Sequence, residues 1–299
     1  MNFPFYIARR YLFSKKKHNA INIISGISVC GVALATLALV CTLSVFNGFQ
    51  DMVASFFTAF DPQLKITVRE GKVFDAQDER IRAVCALPEV EVFTETLEEN
   101  AMVQYKDRQA MVVLKGVEDN FEELTAIDSI LYGAGEFVLH DSIVNYGVMG
   151  VELVATLGTG LEFVDPLQVY LPKRNAKVNM ANPGASFNRD YLYSPGVVFV
   201  VNQQEYDGKY ILTSLDFLRQ LLDYTTEVSA MELKLKSNVN TSSVQSKIEN
   251  ILGDDFVVQN RYQQQADVFR IMEIEKLISY LFLTFILMIA CFNVIGSLS

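Results

Sequence analysis

Two uncharged apolar runs, one near each end of the chain, limit what this sequence can fold into. The first extends from Ile21 to Phe46 and the second from Leu277 to Ser299. At a helical rise of 1.5 Å per residue, each is long enough to cross the roughly 30 Å hydrocarbon layer of a bilayer. Each holds thirteen Leu, Ile, Val or Phe residues, which favours insertion by about −4 to −8 kcal/mol gross per segment. Both are expected to insert as helices, spanning 21–50 and 277–299. The 226 residues from Asp51 to Lys276 then form a region whose two ends return to one membrane face.

Charge is sorted along the chain in the same way. Arg9, Arg10 and Lys15 to Lys17 precede the first run, no Asp or Glu occurs before Asp51 or after Glu275, and 51–276 carries 20 basic and 35 acidic residues. Basic flanks stay in the cytoplasm, so the N-terminus is expected inside and 51–276 outside. A formal charge of −10 argues against nucleic acid, and an apolar content of 51% argues against disorder. Ala33-Leu34-Ala35 resembles a signal-peptide cleavage site, but about ten further apolar residues follow it, too many for such a signal. Lipidation at Cys30 or Cys41 is disfavoured by Val29 and Val40, which stand where a small residue is needed. Cys85 is the single cysteine of 51–276, so the outer region must fold without an internal disulfide.

Residues 1–20 include an amphipathic stretch, Pro4 to Lys17, which reads either as an interfacial helix on lipid headgroups or as a topology signal alone. In the first span Ser28, Gly31, Ala35, Ala38 and Thr42 recur every three or four residues. They make a stripe suited to close helix packing, or a chance pattern in an alanine-rich helix. Asn293, polar at membrane depth, is expected to face another helix. Beyond the first span Phe46, Phe49, Val53, Phe56 and Phe60 continue an apolar stripe at helical spacing until Pro62, and Val268, Ile271 and Met272 approach the second span similarly.

The outer region opens as strand Leu64–Val68, helix Ala76–Leu87 and strand Glu89–Thr94, and closes as strand Met231–Lys236, helix Ser243–Leu252 and strand Phe256–Asn260. Two β-α-β units at the ends of one segment can pair into a single ferredoxin-like sheet. The expected fold is therefore an α+β membrane protein. Two transmembrane helices flank a ferredoxin-like membrane-proximal domain (51–96 with 227–276) into which a mainly-β domain (97–226) is inserted. The insertion begins with a hairpin, Ala101–Tyr105 and Gln109–Lys115. Helices around Phe121–Ile127 and Val151–Leu157 and strands Leu167–Leu171 and Val197–Val201 follow. Pro172 to Pro195 reads as a long polar loop with Lys173, Arg174, Lys177 and Arg189 against Asp190 alone, and loops of this length are usually functional or disordered.

Catalytic signatures are nearly absent. His18 and His140 have no Cys or His neighbour at metal-ligand spacing, and Gly71-Lys72 and Gly208-Lys209 lack the rest of a phosphate-binding loop. No metal, cofactor or catalytic residue is expected.

Several ordered blocks carry a resemblance. Ala8 to Leu12 (Ala-Arg-Arg-Tyr-Leu) precedes the small-residue span, and Leu43-Ser44-Val45-Phe46-Asn47-Gly48-Phe49 leaves it. Leu114-Lys115-Gly116-Val117 ends a strand, Glu205-Tyr206-Asp207 precedes a helix, and Glu275-Lys276 opens a span ending in Cys291-Phe292-Asn293-Val294-Ile295-Gly296-Ser297-Leu298. Together they resemble the transmembrane subunits of lipoprotein-releasing ABC transporters, the LolC/LolE family. The resemblance implies a porter-like membrane-proximal domain with a Sabre-like domain inserted. It also implies four spans, so this chain looks like the N-terminal portion of a permease.

Such a permease lifts lipoproteins from the outer leaflet and passes them to a periplasmic carrier. Exposing three acyl chains to water costs on the order of 30 kcal/mol, so the resemblance assigns the work to a separate cytoplasmic ATPase subunit, acting with a second permease subunit. On this reading Phe46, Phe49, Met52, Val53, Phe56, Phe269 and Met272 line an acyl-chain cavity beside membrane lipid, or else form an ordinary helix-pair core. By order along the chain Pro172–Pro195 takes the place of the family's carrier hook, with Lys173, Arg174, Asn182, Pro183, Gly184 and Arg189 as contacts, or is a solvated loop. MacB-type and FtsX-type permeases share the plan. A two-span receptor or scaffold is the alternative of a different class.

Overall fold

The computed structural model describes residues 3, 6, 7, 10, 19–54, 60–174, 186–264 and 266–298. Most of the Pro4–Lys17 stretch lies outside them. The chain divides into two compact units, 1–55 with 266–299, and 56–265.

The first unit contains helix α1 (Asn19–Ala54) and helix α9 (Ala266–Leu298), which pack on each other. The sides that meet are narrow. Ala35 of α1 and Leu283 of α9 are buried, whereas Leu34, Leu37, Val40, Leu277, Phe282 and Phe285 are exposed on the remaining faces. Among the described residues no helix is long and apolar enough to cross a membrane, so the two spans expected from the sequence stand as a proposal.

The second unit is mixed α/β. Its strands are β1 (Leu64–Val68), β2 (Phe74–Asp75), β3 (Val90–Tyr105), β4 (Arg108–Val117), β5 (Leu131–Gly133), β6 (Val148–Met149), β7 (Leu167–Pro172), β8 (Phe187–Leu192), β9 (Val197–Phe199), β10 (Tyr210–Ser214), β11 (Glu227–Val228), β12 (Ala230–Leu235) and β13 (Phe256–Asn260). Its helices are α2 (Glu79–Cys85), α3 (Phe121–Leu124), α4 (Val151–Leu157), α5 (Gln204–Asp207), α6 (Leu215–Leu222), α7 (Thr241–Leu252) and α8 (Arg261–Gln264).

Among the described residues nine strands form the main sheet, in the order β13-β1-β12-β3-β4-β10-β6, with β7 and β8 branching from β3. The four strands from the two terminal β-α-β units lie as β13-β1-β12-β3, all antiparallel, which is the interleaved order of a split β-α-β arrangement. Side chains of β1 and β12 alternate between faces. Leu64, Ile66, Met231 and Leu233 point to one face and form a core with Ile81 and Val84 of α2 and Val244, Ile248 and Leu252 of α7. Asn240 caps α7 by accepting from the amides of Ser242 and Ser243, and Gly253 ends it at φ +71°.

β3 differs from the sequence reading. Two strands were expected, Glu89–Thr94 and Ala101–Tyr105; one 16-residue strand runs through both. Its first half pairs with β12, Met102 to Gln104 pair with β7 on the same edge, and Thr96 to Tyr105 pair with β4 on the other. The sheet is thus continuous past the boundary expected near Leu97. The strand was hidden because its buried residues include Thr94 and Thr96, so apolar alternation lapses where polar groups are the buried ones. The expected hairpin is present, with Tyr105 opposite Arg108 and Lys106 at positive φ in the turn. Arg108 reaches the carbonyls of Ala155 and Thr156 at the end of α4, and Gly158 terminates that helix at φ +68°.

Other differences are smaller. The helix expected over Ala76–Leu87 is confined to α2, because Asp78 caps it with a bond to the Arg80 amide. The helix around Phe121–Ile127 is α3 followed by a 3₁₀ turn at Ile127–Ile130. The segment Pro172–Pro195 is not all loop, since β8 folds back along β7 from Phe187↔Pro172 to Leu192↔Leu167. Among the described residues β8 pairs with β7 alone, and a strand of this kind keeps polar residues on its open side, which is why Asn188, Arg189 and Asp190 read as loop.

Candidate functional site

The expected acyl-chain and packing residues fall largely outside what is described. Phe46, Phe49, Met52 and Val53 lie in α1, and Phe269 and Met272 in α9, but their side chains, like that of Asn293, are outside the described residues; so is Phe56 altogether. Ser28 lies in α1 with its side chain likewise outside them. Ala35 is buried, Ala38 and Thr42 are half-buried, and Gly31 has no neighbour within 4 Å of where a Cβ would stand.

The expected contact arm is a β-hairpin with a defined base. Lys173 donates its amide to the Ser186 carbonyl at 2.9 Å. Arg174 lies 3.6 Å from a Glu227 carboxylate oxygen and 4.9 Å above the Tyr224 ring, and Asn188 donates to the Leu221 carbonyl at the end of α6. Arg189 lies on β8. Asn182, Pro183 and Gly184 lie outside the described residues. The base is therefore held by the chain between α6 and β11, with Arg174 turned back onto the domain.

A second cluster was not anticipated as a group. Lys65 and Glu232 are paired across β1 and β12, Glu232 and Thr94 across β12 and β3, and Glu98 and Lys115 across β3 and β4. All sit on the face opposite the α2 and α7 core. Lys115, 2% exposed, lies 2.6 Å from Glu232, which is fully buried, and 3.7 Å from Glu98; Lys65 lies 3.3 Å from Glu98. The Lys115 ammonium also stands over the rings of Phe60 at 5.9 Å and Phe121 at 5.6 Å. Burial opposes the charge on Glu98, but Lys65 and Lys115 together hold its carboxyl below the usual range, and Glu98 in turn raises Lys65. Tyr210 bonds to Glu98 and Tyr206 to Asp61 at 3.1 Å; both phenols are pushed up, first by burial and then by these carboxylates.

The motif Leu114-Lys115-Gly116-Val117 now has a two-sided meaning. Lys115 faces the ion-pair row, and Gly116 faces α6, where an added Cβ would stand 3.1 Å from Leu218 Cβ and 3.2 Å from Leu215 Cα. The spacing of Lys115 next to Gly116 at the end of a strand was the available signal; the distant Glu232 had none.

This arrangement ties β1, β12, β3 and β4 together through charged side chains. Among the described residues no group of acidic, His or Cys side chains is placed to hold a metal, and burial pushes the Cys85 thiol up to about 11, away from reactivity. A cleft of about 340 Å³ at the start of α6 is lined by Glu118, Asp119, Asn120, His140, Asp216 and Arg219. Its charges are largely committed, His140 to Asp119 at 3.0 Å and Arg219 to Glu95 at 2.6 Å.

A mixed α/β domain that the chain enters and leaves through long helices, with a buried ion-pair row across its sheet, defines a helix-flanked core domain. The chain belongs to the MacB-like periplasmic core domain family, whose pattern matches residues 25–251. It is similar to the lipoprotein-releasing system transmembrane protein LolE of Haemophilus influenzae, with 22% identity over 306 residues, covering 100% of this chain and 70% of the relative. The corresponding LolC protein of Neisseria meningitidis serogroup B is 24% identical, covering 98% of this chain and 69% of its own. Among solved structures, the periplasmic region of MacB from Actinobacillus actinomycetemcomitans aligns at a TM-score of 0.45 with 10% identity, over 69% of this chain and 91% of that one.

Proposed function

We propose that the chain is a transmembrane permease subunit of an ABC transporter that lifts lipoproteins from the outer leaflet of the inner membrane and passes them to a periplasmic carrier. The observation that carries this reading is the correspondence, along the whole chain, with transmembrane proteins of lipoprotein-releasing systems. The apolar side chains exposed around both α1 and α9 support it, since a helix apolar on every side belongs in a core or in lipid.

On this reading 21–50 and 277–299 cross the membrane with the N-terminus in the cytoplasm, and 51–276 is periplasmic. Residues 51–96 with 227–276 form the membrane-proximal part, and 97–226 the inserted part. A separate ATPase subunit supplies the work, and a second permease subunit, identical or related, completes the path. Phe46, Phe49, Met52, Val53, Phe56, Phe269 and Met272 line the acyl-chain path, and the small stripe of α1 with Asn293 packs helices. A photo-crosslinker at Phe49 or Met52 is expected to capture an acylated lipoprotein several-fold more than one at Leu37, which is 63% exposed on α1. Equal capture at the three positions rejects the path.

The β7–β8 arm is the proposed contact for the carrier, through Lys173, Arg174 and Arg189 and, in the sequence between the two strands, Asn182, Pro183 and Gly184. Its four basic residues stand out in a strongly acidic region, which suits an acidic partner. Replacing 175–185 by a short Gly-Ser linker spares both strands and the Asn188 anchor. Carrier binding is expected to fall at least tenfold with the melting temperature unchanged; undiminished binding rejects the assignment.

A further inference from the structure

β13 ends the main sheet, and among the described residues it pairs with β1 alone. An end strand leaves a row of backbone groups open to a further strand, and proteins commonly guard it with lysine, proline or a bulge. Phe256-Val257-Val258-Gln259-Asn260 has no charge and no proline, and its register with β1 is unbroken. Those guards are missing. Arg69 donates its amide to the Asp255 carbonyl just past the Val68↔Phe256 pair. The alternation of an antiparallel ladder therefore turns the backbone groups of Val257 and Gln259 toward β1, and those of Phe256, Val258 and Asn260 outward.

Side chains take up two of these outward groups. Gln245 of α7, only 7% exposed, places its Nε2 3.0 Å from the Val258 carbonyl, 2.9 Å from Gln263 Oε1 and 3.0 Å from Glu249. The Asn260 amide donates to Gln263 Oε1 at 3.0 Å, and the Gln263 amide donates in return to Asn260 Oδ1 at 3.0 Å. Asn260 Nδ2 donates to Gln245 Oε1 at 3.1 Å. The three residues close a ring of hydrogen bonds along the outer edge, and the core contacts of Val244 and Ile248 hold α7 in place beside it.

We infer that β13 is a latent pairing edge for a second copy of this chain, held shut by Gln245, Asn260 and Gln263. The composition of the strand selects the occupant. Phe256 to Asn260 carries no charge to repel its like, and an antiparallel pair centred on Val258 is self-complementary, as an interface between identical chains must be. Strand addition needs the Val258 carbonyl and the Asn260 amide, the two groups that the ring holds. Gln245 is the decisive member, because it is buried and bonds the edge directly, whereas Gln263 is exposed. The latent edge and its lock are properties of the sheet, independent of the transport reading above.

The test compares the full chain, purified in detergent micelles, with its Gln245→Leu variant by amide exchange at a low concentration and at one a hundredfold higher. Leucine keeps the side chain's bulk and frees the Val258 carbonyl. In the variant, exchange over 256–260 is expected to slow at least tenfold on concentration, with the β3–β4 hairpin unchanged. The parent is expected to exchange alike at both concentrations. A variant that also exchanges alike, unprotected at both, overturns the latent edge, and a parent that gains protection on concentration overturns the lock. Protection that appears in the variant at both concentrations alike means that a segment of the same chain has taken the edge, and it overturns the second copy as occupant. Slowing spread over the whole outer unit is general aggregation and overturns the inference as well. If Gln245→Leu loses protection throughout α7, Gln263→Ala frees the Asn260 amide without altering that helix and is judged by the same criteria.

Discussion

Replacing Lys115 by Met is expected to destabilise the outer unit by about 3–5 kcal/mol, because it leaves the Glu232 carboxylate buried without its 2.6 Å partner. Lys65 cannot take over cheaply, since it is already 3.3 Å from Glu98 and would have to abandon it. Among the described residues Glu232 Oε2 already lacks a hydrogen-bond partner, and with Lys115 gone Oε1 keeps only a long contact from the Thr96 hydroxyl at 3.5 Å. Adding Glu232→Leu to Lys115→Met is expected to recover most of the loss, as replacing both members of a buried pair by apolar side chains often does. Chemical denaturation of the parent, both single variants and the double variant, followed by circular dichroism, gives the cycle. A Lys115→Met protein within about 1 kcal/mol of the parent would falsify the assignment of this pair as a buried and closed ion pair.

Gly116→Val is expected to cost about 1–3 kcal/mol by the opposite mechanism, overpacking rather than uncompensated charge. The new Cβ would stand 3.2 Å from a backbone atom of α6 at Leu215, so trimming a flexible side chain cannot relieve it and the helix must lift. Phe217, Leu218 and Leu221 would then part from the core they share with Val112 and Leu114 of β4. The same denaturation series measures it. Glu232→Leu, which rescues Lys115→Met, is expected to leave Gly116→Val as unstable as before; rescue there would mean that the two neighbours act through one face of the sheet.

These adjacent residues show what was legible in advance. β1, α4 and β13 occupy the residues expected, and α7 begins two residues early. Each has local punctuation: Pro62 before β1, Gly158 after α4 and Gly253 between α7 and β13. The interleaved order of the four terminal strands was also legible, because two β-α-β units at the ends of one segment have few ways to share a sheet. β10 and α6 were not marked by pattern. β10 is buried on both faces, so it lacks the alternation by which a half-exposed strand is recognised. The β7–β8 arm was located by its basic residues but not recognised as two strands, because the outer strand is polar.

The sequence by itself determined the large divisions of the molecule: two uncharged apolar runs, an acidic region between them, and terminal units able to form one sheet. These follow from hydropathy, charge and short-range periodicity, which act between residues a few positions apart. Only the tertiary structure decided that Lys115 meets Glu232, 117 residues away, and that Asp61 is bonded to Arg261, 200 residues away. No local pattern encodes such pairs. A lone lysine or glutamate reads as a solvated charge until the sheet brings its partner within 3 Å and removes the water around both.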